Sequence, residues 1–600
     1  MAEEGPAAEA GLDAVEQGDA EIGEALRESQ PGDLSANPPS AAGRTLARNS
    51  TIMAVGTMTS RITGVGRDIA MAAALGFYLV SDAYSLGNSL PNIVYILVIG
   101  GALNAVFIPQ LVRRMKEDAD GGRLYSDRLL TLVGSILLVF SVVAVVFAPV
   151  IVNLYTPDTY PQQQFELAVA FARLCLPQIF FYGLYTMLSQ VLNARGHFGM
   201  PMFAPIANNV IAIATFGLFL AIAGTSAAAD GSLTTQQVLL LGIGTTLGVV
   251  LQALVLVPVL WRSGYVWRPR FDWKGSGLGK AGGLAAWTIG LVLVNQVTYL
   301  LITRLATLAN VNAADAGKVA AGLTTYQKAH LVFMLPHSVI TVSVVTAMLP
   351  ALSRVAHSGR LDQVGADIAR TMRSVAALVL PVAMILLING AGVAILLFGY
   401  GAATPDQAGV MGLIVSVFMI GLLPFTLFYI LLRGYYALED TRTPFLMTVL
   451  YSAVMLALMY PLFNLAPVGG FQVGSIAFAY SLAYWVALIV TWAVLARRLG
   501  SLQSWRTIGV LARLVIAAGI GLAVMWATLT LLLRFEPSTA NLDRGNLILN
   551  VVVTSLVGVV VYVVAAWVLR VREVRDVLSY GRRIARRAAG RPAGAKGGER

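Results

Sequence analysis

Charge is the first thing this chain is short of. Charged residues make up 12% of its 600 positions, about half the quarter usual in soluble domains. That shortage argues against a solvated globular enzyme, and equally against a disordered chain, which needs high charge and little apolar content. Cysteine is almost absent. The one thiol, Cys175, lies in an apolar run, so no internal disulfide can form and a secreted disulfide scaffold is excluded. There is no Walker A run and no G-x-S-x-G, and His197, His330, His337 and His357 stand apart without ligand spacing. No enzymatic activity, no metal and no cofactor are expected. Work done by this chain would draw on an ion gradient, the membrane potential or removal of product.

Apolar residues fill the space left by charge. They make up 57% of the chain before its 58 glycines are counted, and mean hydropathy is +0.73. A membrane span needs about 20 apolar residues. Fourteen hydrophobic runs are predicted as spans, near 50–76, 84–112, 128–155, 165–193, 201–224, 236–261, 281–308, 319–352, 371–399, 408–436, 444–466, 473–496, 507–533 and 547–570. The expected fold is an all-α polytopic membrane protein with 14 transmembrane helices.

The basic residues test that count. Arg113, Arg114, Lys116, Arg123 and Arg128 follow span 2. Arg262, Arg268, Arg270, Lys274 and Lys280 follow span 6, Arg354, Arg360 and Arg370 follow span 8, and Arg497, Arg498 and Arg506 follow span 12. The intervening loops hold only Lys318, Arg534 and Arg544. Cytoplasmic loops carry the Lys/Arg excess, which puts both termini inside. Residues 1–40 carry ten acids and one base, so the other 560 carry +20 of the overall +11. This basic charge sits between spans and orients them; nucleic acid is not an expected partner.

A repeat divides the spans. Asn193-Ala194-Arg195-Gly196-His197-Phe198-Gly199-Met200-Pro201 matches Tyr436-Ala437-Leu438-Glu439-Asp440-Thr441-Arg442-Thr443-Pro444 in part, at an offset of 243, and Ala105 to Leu111 matches Thr346 to Leu352 in part, at 241. Two six-span halves in the same orientation follow, a transporter architecture with its site between the halves. The expected organisation is an acidic tail (1–45), an N-lobe (46–275), a C-lobe (276–503), a final pair of spans (504–572) and a basic tail (573–600).

Charge inside a span is costly, about 2.5–3.5 kcal/mol at least, and is functional by default. In span 1, Thr57, Ser60, Arg61, Gly64, Arg67 and Asp68 fall within an arc of about 120°, with Met58, Ile62, Val65 and Ile69 opposite. Such a stripe must face protein or water. It reads either as packing, with Asp68 paired to an arginine, or as a cavity offering cations to an anion, since guanidinium matches phosphate bidentately. In span 2, Asp82, Asn88 and Asn92 cluster, with Asp82 as a helix cap in the plainer reading. In span 8, Lys328 is either functional or a snorkelling residue.

Several of these residues also carry a family resemblance. Thr59-Ser60-Arg61-Ile62-Thr63-Gly64-Val65-Gly66-Arg67-Asp68, Ser81-Asp82-Ala83-Tyr84, Leu90-Pro91-Asn92 and Gly101-Ala102-Leu103-Asn104-Ala105-Val106-Phe107-Ile108-Pro109 resemble the N-terminal signature of the MurJ/MviN flippases of the MOP exporter superfamily, with an actinobacterial cast. Leu192 to Gly196, Ala204-Pro205 with Asn209, and Gly434 to Pro444 add to it. The resemblance implies two six-helix lobes around a central cavity, plus two C-terminal helices forming a lipid-tail groove. It implies flipping of lipid II, undecaprenyl-pyrophosphoryl disaccharide-pentapeptide, across the cytoplasmic membrane by alternating access. Arg61 and Arg67 would hold the pyrophosphate, with Asp82 and Asn92 also functional. Ser60, Asp68 and Lys328 complete the expected substrate site. Two departures thin the cationic cavity: Ile93 to Leu97 lacks the family's arginines, and Tyr326-Gln327-Lys328-Ala329-His330 has Lys328 or His330 in place of a span-8 arginine. The expected partners are lipid II, membrane lipids, and cell-wall synthesis or division proteins. The alternatives are an exporter of another polyprenyl-linked glycan, or a membrane scaffold for wall-synthesis partners.

Overall fold

The structure is a computed structural model. It describes residues 41–97, 114, 118, 120, 122–272, 282–534 and 543–575, except the side chains of 41–51, 54, 282–286 and 288. The two tails, the second half of span 2 with its Gly101–Pro109 motif, and the loop at 273–281 lie outside the described residues.

Among the described residues there is helix and no strand. In chain order the helices are α1 (Ala41–Leu75), α2 (Leu79–Tyr95), α3 (Arg123–Val146), α4 (Ala148–Tyr155), α5 (Gln162–Cys175), α6 (Gln178–Ala194), α7 (Gly199–Ala223), α8 (Thr235–Leu254) and α9 (Leu256–Arg262). They continue with α10 (Gly282–Asp315), α11 (Leu323–Pro336), α12 (Val342–His357), α13 (Leu361–Phe398), α14 (Pro405–Ala437), α15 (Arg442–Leu465), α16 (Gly470–Leu499), α17 (Ser504–Leu532) and α18 (Arg544–Val568).

Twelve segments among the described residues are long and apolar enough to cross a membrane, and they coincide one for one with expected spans 3–14. Span 4 is built from α5 and α6, broken where Pro177 interrupts the hydrogen-bond ladder. Span 8 is α11 and α12, joined by a π turn at His337–Thr341 just after Pro336. Expected span 1 is α1, a helix of 35 residues. It is not among the twelve, and its polar stripe is the reason. Its apolar side is turned outward, with Met58 59% and Ile62 68% exposed, while Asp68 is buried. That is the inverse of a soluble amphipathic helix, and it is the arrangement a lipid surround requires.

The described residues divide into two compact units. The first comprises residues up to Leu331 with Leu397–Ile414 and Asp440–Ala483; the second comprises Val332–Leu396, Val415–Glu439 and residues from Tyr484 onward. Within the first unit, α1 lies close along α7, where a Cβ on Gly56 would come within 3.0 Å of the Met202 Cβ. Within the second, α17 and α18 pack on α13. Asn389 donates to Ser555 Oγ (3.2 Å) and accepts from Thr554 Oγ1 (3.0 Å), Tyr562 donates to the Ala377 carbonyl (3.0 Å), and Arg373 donates to Glu573 (3.0 Å) and Thr507 (2.9 Å).

The repeat is visible in local geometry. α6 ends at Ala194 and α14 at Ala437, and α7 starts at Gly199 and α15 at Arg442, each pair 243 positions apart. Between them the left-handed turn residue is Gly196 (φ 78°) in one copy and Glu439 (φ 57°) in the other. A left-handed residue after the helix end satisfies orphan carbonyls, and glycine adopts it without steric cost.

Candidate functional site: a polar cavity in the first unit

A cavity of about 220 Å³ opens among α1, α2, α6, α7, α8 and α11. Arg67 and Asp68 reach it from α1, Asn88 and Asn92 from α2, and Gln327 and Lys328 from α11; Tyr182 and Asn208 also line it.

Its electrostatics centre on Asp68. Lys328 donates to Asp68 Oδ1 at 2.5 Å, and Arg67 donates to Asp68 Oδ2 at 3.4 Å. The Lys328 side chain is only 8% exposed, so it does not snorkel to an interface; it spans to α1 across 260 residues of sequence. One carboxylate against two cations leaves the cavity a net positive charge. Arg67 is also steered by Asn209 on α7. Asn209 Oδ1 accepts from Arg67 (3.4 Å), while its amide nitrogen donates to the Ser60 carbonyl (3.1 Å) and Thr63 Oγ1 (3.0 Å). Ser60 therefore supports the site through its backbone and does not itself line the cavity. Arg61 does not line it either. It lies half-buried one helical stretch away, with no hydrogen-bond partner among the described residues.

Acceptors complement the cations. Asn88 and Asn92, four residues apart and so on one face of α2, both line the cavity, and their Oδ1 atoms are buried without a hydrogen-bond partner among the described residues. Leaving such a group unsatisfied costs about 1–3 kcal/mol, a cost a bound donor removes. Gln327 is already committed, donating to Ser89 Oγ (3.1 Å) and Tyr299 Oη (2.8 Å).

Asp82 sits elsewhere. It does cap a helix, but not its own. Its Oδ1 accepts from Thr324 N (2.7 Å), and its Oδ2 accepts from Leu323 N (3.1 Å) and Asn310 Nδ2 (2.7 Å). Asp82 thus satisfies the orphan amides at the start of α11 and ties α2 to α10 and α11. Gly322 makes the approach possible, since a Cβ there would overlap the carboxylate. Of the seven expected site residues, Arg67, Asp68, Asn92 and Lys328 meet at the cavity, while Ser60, Arg61 and Asp82 lie outside its lining. Sequence reasoning did not place Tyr182 or Asn208 there. Asn88 was signalled by its four-residue spacing from Asn92.

A solved structure described as lipid II flippase MurJ in an inward closed conformation superposes with a TM-score of 0.67 at 18% identity, over 88% of this chain and 100% of that one. An inward-facing MATE multidrug transporter of the MOP superfamily superposes at 0.57 and 14% identity, over 76% and 99%. The chain therefore shares the multi-pass, all-helical fold of these two proteins. A family profile described as lipid II flippase MurJ matches residues 71–541, and the chain belongs to that family. A relative from Rhizobium meliloti (strain 1021), named a probable lipid II flippase MurJ, is 30% identical over 485 residues, covering 78% of this chain and 84% of the relative. One from Rhizobium tropici with the same name is 28% identical over 524 residues, covering 86% and 92%. The family and the run of apolar helices make this a multi-pass protein of the bacterial cytoplasmic membrane.

Proposed function

We propose that this protein flips lipid II from the inner to the outer leaflet of the cytoplasmic membrane by alternating access, as a transporter and not an enzyme, with both termini cytoplasmic. The observation that carries the reading is the cavity itself. Arg67 and Lys328 present cations at a site lined by amide acceptors that have no partner among the described residues. That donor and acceptor set suits a headgroup with phosphate at one end and sugar hydroxyl and acetamido groups at the other. Guanidinium and ammonium take the phosphate oxygens, and Asn88 and Asn92 accept from the sugar.

Asp68 keeps both cations solvated by a carboxylate while the site is empty. An incoming pyrophosphate competes for them, so binding rearranges the contact between α1 and α11. The Asp82 cap lies ten residues from Asn92, about 15 Å along α2, at the end that the charge pattern places outside. Holding α2 to α10 and α11, it closes the cavity on that side, and outward opening requires its release. Each negative charge moved outward gains about 2.3 kcal/mol per 100 mV of inside-negative potential, so the potential supplies the driving force. Depletion of the protein tests the reading in cells: lipid II should accumulate on the inner leaflet. A defect confined to another surface glycan, with lipid II still exported, would count against it.

A further inference from the structure

After α9 the chain does not turn away. Residues 265–272 run non-helically along the start of α3 and are fastened to it repeatedly. Tyr265, fully buried, donates to Asp127 Oδ1 at 2.6 Å, and Arg268 N donates to the same oxygen at 3.2 Å. Trp267 Nε1 (3.3 Å) and Arg270 N (2.9 Å) both donate to Thr131 Oγ1, and Asp272 pairs with Arg128. Arg195 stacks over the Tyr265 ring at 4.9 Å and donates to the Ser263 carbonyl, and Arg123 donates to the Gly264 carbonyl. The Arg128 hydrogen bond holds the Asp272 carboxyl below its usual range, and burial pushes the Tyr265 hydroxyl well above its own. The fastening therefore holds across physiological pH.

Beyond these contacts, the strap and the adjoining end of α9 leave aromatics and cations exposed. Trp261 is 60% and Phe271 68% exposed, with Val266 and Trp267 between them, and Arg262 and Arg268 are exposed beside them. The two acids in contact with the strap among the described residues are already used: Asp272 is held by Arg128, and Asp127 by Tyr265 and the Arg268 amide. The level is also fixed. Thr131 lies five residues, about 7.5 Å, before Ile136, where the exposed apolar face of α3 begins. That is the depth of the headgroup zone, which adds about 5–7 Å to each side of the hydrocarbon core. Aromatic rings and arginines at headgroup depth match a phosphate diester with its upper acyl carbons.

We propose that the strap is a binding site for an anionic phospholipid of the cytoplasmic leaflet, retained at the rim of the first unit and not carried across. Arg262 and Arg268 take the phosphate, and Trp261, Trp267 and Phe271 lie against the upper acyl chain. The site is separate from the cavity and does not depend on which lipid is transported.

The full-length protein, reconstituted in phosphatidylcholine vesicles, tests this with two quenchers brominated near the headgroup, phosphatidylglycerol and phosphatidylcholine. Tryptophan quenching should be stronger with brominated phosphatidylglycerol at equal mole fraction. In Arg262→Gln/Arg268→Gln that excess should vanish, since each arginine lost weakens the contact about fivefold. It should also vanish in Trp261→Phe/Trp267→Phe, which removes the local reporters. Equal quenching of the unaltered protein by both lipids, or an excess that survives either double variant, overturns the proposal.

Discussion

Asp68 is the residue on which the cavity turns. It is a buried acid that serves both Lys328 and Arg67. Removing one partner of a buried pair costs about 3–5 kcal/mol, because the other charge is left unpaired. Asp68→Asn and Lys328→Met should each lower the thermal midpoint of the purified protein, and the double variant should recover most of the loss. Additive losses would mean that the two groups do not act as a pair. Asn88 and Asn92 make a different prediction, since their carbonyl oxygens have no partner to lose among the described residues. Asn88→Ala should leave the midpoint nearly unchanged while slowing lipid II translocation about three- to tenfold, the worth of one net hydrogen bond. At this scale the sequence was informative about α1. Six polar residues on one arc required a protein or water surround, and the outward-facing Met58 and Ile62 agree with that. The partner of Asp68 was not legible. Helical periodicity says which residues share a face, but not which of thirteen other spans will meet that face.

Among the helices, the Asp82 cap and the left-handed turns set the expectations. Asp82→Ala leaves the first amides of α11 and the Asn310 amide without their acceptor. Outward opening should then be easier. Cys175 is buried and unreactive, so a thiol introduced by Asn88→Cys is a clean reporter. A membrane-impermeant reagent added outside should label it faster in the Asp82→Ala background. No increase would separate Asp82 from gating. Glu439 offers a stability test, because it holds a left-handed conformation where its repeat mate is Gly196. Such a conformation costs a non-glycine residue about 1–2 kcal/mol, partly offset by the flexibility glycine brings to the unfolded chain. Glu439→Gly should therefore raise stability by up to about 1 kcal/mol; a clear loss would show that Glu439 contributes more through its exposed contact with His357, where Oε1 lies 3.2 Å from Nε2, than its backbone costs. The repeat itself was legible from two short motifs, because helix ends need particular turn residues. The break at Pro177 and the strap after α9 were not. A proline in an apolar run still reads as one span, and an extended segment anchored by Asp127 and Thr131 has no periodic signature.

Across the whole molecule, hydropathy and charge carried most of the reading. Expected spans 3–14 coincide with helices long and apolar enough to cross a membrane, because lipid leaves helices as the only open-ended way to satisfy the backbone. Span 1 escapes that criterion for the same reason that it matters: it carries the polar stripe. The excess of positive charge likewise divides by purpose. Most of it lies in alternate loops, in the pattern from which the orientation of the spans is expected, Arg262 and Arg268 stand at the strap and the adjoining end of α9, and a small remainder reaches the cavity. Arg67 is the member of that remainder that donates both to Asp68 and to Asn209, and it is the residue to which the proposed function assigns the pyrophosphate. The most direct measurement is lipid II translocation by the full-length protein reconstituted in vesicles under an inside-negative potential. Arg67→Ala should insert normally and lose translocation. Translocation at the unaltered rate by Arg67→Ala would contradict the cavity as the site of headgroup transport.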